Sequence, residues 1–206
     1  MSKKFIITGT GTGIGKTLTS AMLMLGLDAD YWKPVQSGTE TDTNTLRKLT
    51  QLPANRFHNE VYSFEMPASP HIAAESEGRV IDIAKLKPPH TPRTLLIEGA
   101  GGLMVPVTRT VLMIDVFKQM NAPVILCART ELGTINHTLL SVQALKVHGI
   151  PLHGIIFLGP ENKDTIKTII DFSMAKLLGH IPVLNEISAA SLTELFNSNF
   201  NKSDFI

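Results

Sequence analysis

The stretch from Gly9 to Thr17, Gly-Thr-Gly-Thr-Gly-Ile-Gly-Lys-Thr, constrains this chain more than any other part of it. It follows the apolar run Phe5–Ile7. A helix-period segment then begins near Lys16, with Leu18, Ala21, Met22 and Leu25 on one face. Between a strand and a helix, such glycines let backbone N–H groups curl around phosphate oxygens, and the helix N-terminus adds positive potential. Lys16 is then placed to reach the outer phosphates of a nucleotide, and the Thr17 hydroxyl to coordinate Mg²⁺. The strict phosphate-loop spacing is missed by one position, because Thr10 stands where the first glycine belongs. The dinucleotide pattern fails too, with Ile14 at its third glycine. The Gly-Lys-Thr ending decides for a phosphate loop over a flexible turn.

Further apolar runs at Tyr31–Val35, Thr94–Ile97, Pro123–Cys127 and Leu152–Phe157 read as buried strands. A helix is expected from about Thr134 to His148, with Ile135, Leu139, Val142 and Leu145 facing inward. Another is expected to carry Ile166, Ile169, Ile170, Met174 and Leu177 on its inner face. Gly179–Leu184 reads as a last short strand or loop, and the polar tail from about Asn197 as frayed. Strands alternating with helices imply an α/β fold, a mostly parallel sheet wrapped by helices on both faces, in one domain spanning residues 1–206. The least regular stretch, Gln51 to Pro92, is long for a connection and is expected to hold a functional loop or further elements.

Charge and cysteine content narrow the function. With 19 Lys plus Arg against 18 Asp plus Glu, the net charge of +1 offers no footprint for a polyanion such as nucleic acid. The single cysteine, Cys127, sits in a strand and reads as a core residue, as do Met22, Met24, Met113 and Met174. Only three apolar residues follow the basic start, too few for a signal peptide, and no run approaches a membrane span. A soluble, cytoplasmic protein is expected.

Two more signals point at phosphate chemistry. In Leu95-Leu-Ile-Glu98-Gly-Ala-Gly-Gly102 a carboxylate ends an apolar strand beside a Gly-rich turn. Ligands bind at the carboxyl ends of strands in open parallel sheets, so Glu98 is expected on the Mg²⁺ side of the site. Lys33 ends the Tyr31-Trp32 strand and points to the same sheet edge as Lys16. Two ammonium groups on one phosphate would stabilise charge developing in a transition state.

At these residues the sequence resembles the dethiobiotin synthetase family. The motifs are Thr8–Thr17, Lys33-Pro-Val-Gln-Ser-Gly38, Ser69-Pro-His71, Glu98-Gly-Ala-Gly-Gly102 and Leu132-Gly-Thr-Ile-Asn-His137. The resemblance implies a phosphate-loop fold, a homodimer, and conversion of 7,8-diaminononanoate, CO₂ (or bicarbonate) and ATP to dethiobiotin, ADP and phosphate. It implies Lys33 and Lys16 as catalytic residues, and Thr17, Asp42 and Glu98 as holders of Mg²⁺. Around the nucleotide it implies Gly13, Ile14, Gly15, Lys16, Thr17, Leu18, Asp42, Glu98, Gly99, Ala100, Gly101, Leu158, Gly159 and Pro182. Thr12 and Ser37 would touch the substrate, and Gly133, Thr134 and Asn136, from the partner subunit, would hold its carboxylate. His71 would line the substrate pocket or hold a turn, and His137 would pack or hydrogen-bond.

Three departures matter. The acidic residue frequent in the family's phosphate loop is replaced by Gly11 and Gly13. The segment between Lys33 and Asp42 is short. The family's adenine-reading Asn appears here as Leu158, so weak selection of the base is expected. Two rival classes fit less well. Partner-controlled ATPase switches carry a second lysine five residues before the phosphate lysine, where this chain has Gly11, and often end in a membrane-seeking helix. Amidase-type synthetases need a nucleophilic cysteine, and Cys127 lies in a strand.

Overall fold

The computed structural model describes residues 2–205. In chain order the elements are β1 (Lys4–Gly9), α1 (Lys16–Leu27), β2 (Asp30–Trp32), β3 (Val35–Ser37), α2 (Asp42–Thr50), β4 (Phe57–His58), β5 (Tyr62–Phe64) and α3 (Pro70–Ser76). They continue with β6 (Leu95–Gly102), α4 (Met113–Met120), β7 (Val124–Arg129), α5 (Thr134–Val147), β8 (Leu152–Leu158), α6 (Lys163–Ser173), β9 (Leu177–Ile181) and α7 (Ala189–Asn199). Seven strands form one parallel sheet in the order β4-β2-β6-β1-β7-β8-β9, and β3 pairs with β5 in a separate two-stranded sheet.

Alternation along the central strands builds the layers, because successive side chains point to opposite faces. Ile7, Leu96, Ile125 and Cys127 join α1, α2 and α7 in one cluster, with Met22, Leu23, Leu46 and Phe196 at its centre. Ile6, Leu95, Ile97 and Val124 face the other way, onto α3, α4 and α5, while Ile155 and Phe157 meet Ile169 of α6. Helices therefore cover both faces, as the strand–helix alternation implies. No helix among the described residues is long and apolar enough to cross a membrane.

Several expectations change. The run Tyr31–Val35 is not one strand. Pro34 has no N–H to donate to a ladder, so β2 stops at Trp32 and Val35 begins the small second sheet. β6 runs four residues past Glu98, so the acid lies within the strand. α6 ends at Ser173 because Met174 adopts a left-handed C-cap, and Met174 is 86% exposed rather than core. Leu177 belongs to β9 and is also exposed. In α5, Leu145 is buried, but Ile135 faces solvent and Leu139 and Val142 are only half-covered. The tail does not fray. α7 runs to Asn199, Phe200 and Phe205 are buried, and Phe205 packs against Phe5, His153 and Phe196. Burying such a ring stabilises by roughly 1.5–3 kcal/mol. The stretch 51–92 holds β4, β5 and α3.

Candidate active site

The chain leaves β1 toward β2 on one side, while β7 flanks β1 on the other, so the end of β1 is the point where the strand order reverses. Ligands gather at such a point in open α/β sheets. The phosphate loop sits there. Gly9 lies opposite Gly102 of β6 and Cys127 of β7. A side chain at Gly102 would press on the Gly9 carbonyl and Gly11, so the loop and β6 approach backbone to backbone. Gly15 caps α1 at φ 103°, a left-handed conformation, and a Cβ there would meet Leu158 Cδ2 at 2.5 Å. From the β7 side, Arg129 donates to the Gly13 carbonyl.

A cavity of about 740 Å³ opens over this point. It is lined by Thr12, Gly13, Gly15, Lys16, Thr17 and Leu18 from the loop and α1, by Lys33, Ser37 and Asp42, and by Glu98, Ala100 and Gly101 of β6. These twelve are expected from the sequence; Gln36, Thr45, Leu49, the Pro67–Pro70 segment, Val105 and Ile187 line the cavity too and are not. Lys16 folds back on its own loop, donating to the Gly11 carbonyl at 3.0 Å. Burial pulls its pKa below the ordinary lysine value, against the opposing pull of Glu98.

The acids meet behind Lys16. Thr17 Oγ1 lies 2.6 Å from Asp42 Oδ1 and 3.3 Å from Glu98 Oε1. Lys33 Nζ pairs with Asp42 Oδ2 and stands 3.4 Å from Glu98 Oε1. Burial works to lower the Lys33 pKa, but Glu98 and then Asp42 outweigh it and raise it. Burial likewise opposes ionisation of Asp42, yet the Lys33 ammonium holds the carboxyl below its ordinary range. Glu98 is 1% exposed.

The cluster offers a hydroxyl and two carboxylates, all hard oxygen donors, and already gathers a cationic ammonium. That donor set fits Mg²⁺, which takes one or two carboxylates and completes its shell with water and phosphate.

Sequence reading missed two supporting residues. Ser20, fully buried, donates to Glu98 Oε2 at 2.7 Å. Its spacing after Lys16-Thr17, one turn along α1, was the available signal. Gln36 staples β3 to α2: its amide donates to the Ser37 carbonyl at 2.7 Å and its Oε1 accepts from Asp42 N at 3.2 Å. With Thr41 capping α2 through Asn44 N at 3.1 Å, this fixes where Asp42 starts its helix. Ser37 Oγ lines the cavity and is buried without a hydrogen-bond partner among the described residues.

Other named residues lie elsewhere. Ile14 packs against the core beneath the loop, and Gly99 lies in β6 against Phe117. Leu158 is buried under Gly15, Gly159 N donates to the Ile181 carbonyl at 3.0 Å, and neither they nor Pro182 line the cavity. His180 Nε2 and the Gly159 carbonyl are hydrogen-bonded at 2.8 Å. Gly133, Thr134 and Asn136 open α5, yet none of the three reaches the cavity of their own chain. His71 Nδ1 lies 3.0 Å from Ser69 Oγ and 3.2 Å from the Pro106 carbonyl, which holds a turn. His137 is exposed beside Gly133.

Cys127 is buried, and burial pushes its thiol up to about 12. A thiol held so firmly protonated is no nucleophile.

Comparison with known proteins identifies the family. Residues 3–191 match a family model described as an AAA domain. The ATP-dependent dethiobiotin synthetase of Rhodopseudomonas palustris strain TIE-1 is 50% identical, aligning 100% of this chain with 98% of that one. The enzyme of the same name from Agrobacterium fabrum is 46% identical at the same coverages. Among solved structures, a ParA family ATPase from Chlorobium tepidum superposes with a TM-score of 0.57 at 12% identity, covering 98% of this chain and 95% of that one. That likeness speaks to the fold alone. At 46–50% identity over its whole length to those synthetases, this chain belongs to the ATP-dependent dethiobiotin synthetase family.

Proposed function

We propose that this chain, acting as one synthetase domain over residues 1–206, uses ATP to close a cyclic urea on 7,8-diaminononanoate with CO₂ in the cytoplasm. The observation that carries this reading is the convergence of Lys16, Thr17, Lys33, Asp42 and Glu98 on one cavity that also holds the unpartnered Ser37 hydroxyl. The first amine adds to CO₂ and loses a proton, giving a carbamate. A carbamate oxygen attacks the γ-phosphorus and ADP leaves, giving a carbamic–phosphoric anhydride. The second amine attacks the carbonyl carbon, loses a proton and expels phosphate, which closes the ring.

Thr17, Asp42 and Glu98 would hold Mg²⁺, which would supply charge neutralisation for the phosphates when bound. The phosphate-loop N–H groups cradle the nucleotide phosphates. Lys16 and Lys33 both line the cavity and stabilise charge spreading over the transferred group, where positioning and electrostatics dominate phosphoryl transfer. Ser37 Oγ donates to or accepts from the substrate. No protein nucleophile is needed.

The homodimer belongs to the same proposal. Gly133, Thr134 and Asn136 stand outside their own chain's cavity, and the exposed apolar Leu132 and Ile135 lie beside them in the chain. Seated on a second copy, the α5 N-terminus would bring N–H groups to the substrate carboxylate.

The test is phosphate release from ATP with diaminononanoate and bicarbonate, each omitted in turn. Full release is expected only with all three, with dethiobiotin as product. Equal release without the diamine would overturn the assignment.

A further inference from the structure

We infer that Ser20 is a positioning residue of this reaction: its hydroxyl pins one oxygen of Glu98 so that the other stays turned toward Thr17 and Lys33. The inference rests on the reading of Glu98 as an acid on the metal side. Ser20 and Glu98 are both enclosed, at 0% and 1% exposure, so neither has water to fall back on. Ser20 Oγ donates to Oε2 at 2.7 Å, a full-strength distance for a hydroxyl donor.

The contacts on the other oxygen are longer, 3.3 Å to Thr17 Oγ1 and 3.4 Å to Lys33 Nζ. Thr17 has one hydroxyl hydrogen, and Asp42 Oδ1 at 2.6 Å takes it, so the Glu98 contact receives little. The Tyr31 hydroxyl, fully buried nearby, makes no hydrogen bond of full-strength geometry among the described residues, although burial and then Glu98 raise its pKa, so it stands close to the same carboxylate without clamping it as Ser20 does. Ser20 therefore gives the shortest constraint on rotation of the carboxylate, whose terminal torsion is otherwise broad.

Serine inside a helix usually bonds back to the carbonyl four residues earlier. Here the hydroxyl reaches across to β6 instead. Lys16, Thr17 and Ser20 share one face of α1, so a single helix sets the phosphate lysine, the metal hydroxyl and the clamp on the metal acid.

Ser20→Ala removes the donor and little volume. Outer partners of metal ligands typically control affinity or rate by about 10- to 100-fold. In the ADP-bound protein, Mn²⁺ affinity measured by electron paramagnetic resonance is expected to fall by about 10-fold or more. The Mg²⁺ concentration for half-maximal turnover should rise in parallel, while the KM for diaminononanoate stays put. Ser20→Thr keeps the hydroxyl and should recover most of the Mn²⁺ affinity. A packing role alone would lower Tm in Ser20→Ala and leave Mn²⁺ binding untouched. Glu98→Gln separates the two levels. Weaker Mn²⁺ binding in Glu98→Gln with wild-type binding in Ser20→Ala overturns the positioning role. Wild-type binding in both removes Glu98 from the metal and overturns the reading beneath it.

Discussion

The two sides of the phosphate loop are built on opposite terms. Toward β6, Thr17, Ser20, Lys33, Asp42 and Glu98 are buried or half-buried and satisfy one another. Toward α5, a second hollow of about 540 Å³ is lined by Met104, Leu140 and Ala144 together with Thr10, Gly11, Thr12 and Ser141. Leu140 and Met104, which share this hollow, are 61% and 53% exposed; Leu132 and Ile135, near the start of α5, are exposed too but do not line it. Contiguous exposed apolar surface marks an interaction site. One side is finished by this chain alone; the other is the side that a second copy would complete under the proposed homodimer.

The largest expected effect lies on the finished side. Loss of a transition-state donor in a dry site costs about 100- to 1,000-fold in rate. Lys16→Ala and Lys33→Ala should each lose at least that in kcat. Their stabilities should part: Lys16 bonds only a carbonyl, whereas removing Lys33 strands two carboxylates, and breaking a buried pair costs about 3–5 kcal/mol. Denaturant melts alongside turnover check both. Near-normal turnover by folded Lys33→Ala would remove it from the chemistry.

The next tests the unfinished side. Leu140→Asp should leave monomer stability within about 0.5 kcal/mol, as exposed substitutions do. Sedimentation should nonetheless show dissociation to monomers, with activity falling alongside. A stable, fully active dimer would mean the α5 face is not the contact.

Nucleotide choice comes third. Leu158 is buried beneath Gly15 and offers no polar atom to a base, and the Gly159 N–H and carbonyl are already used. One missing hydrogen-bond reader is worth about 1–3 kcal/mol. ATP should therefore be preferred to CTP or GTP by less than about 100-fold in kcat/KM. A preference of several thousand-fold would mean another group reads adenine.

The smallest effect is on pH. Asp42 titrates below its unfolded value of about 3.9, so its contribution to stability is present above that pH and is lost as pH falls through the folded pKa. Lys33 titrates above its unfolded value of about 10.4, so its contribution is present below that pH and is lost as pH rises through the folded pKa. Asp42→Asn should flatten the acid limb of a Tm–pH curve. An unchanged limb would mean the pair does not stabilise the fold.

The finished side was legible because its signals are local. Gly-Lys-Thr after an apolar run, an acid in β6 and a lysine after β2 each announce themselves within a few residues. What escaped depends on distant partners. Phe205 looked like part of a polar tail, but its ring is buried by Phe5, His153 and Phe196, far away in sequence. Ser20 reads as an ordinary helical serine until β6 brings Glu98 to it. Ile135 fits an inward helical period in sequence, yet the sheet covers α5 mainly through Thr134, Thr138 and Leu145. Met174 looked like core until its left-handed backbone ended α6.

Mixing Asn136→Ala with Lys16→Ala protein, after subunit exchange is verified, tests the shared site most directly. If each site takes Lys16 from one copy and Asn136 from the other, half the dimers are hybrids with one intact site each. Activity should then return to about a quarter of wild type, although each parent is nearly inactive. No return of activity after confirmed exchange would place both residues in one copy's site and contradict completion by a second copy.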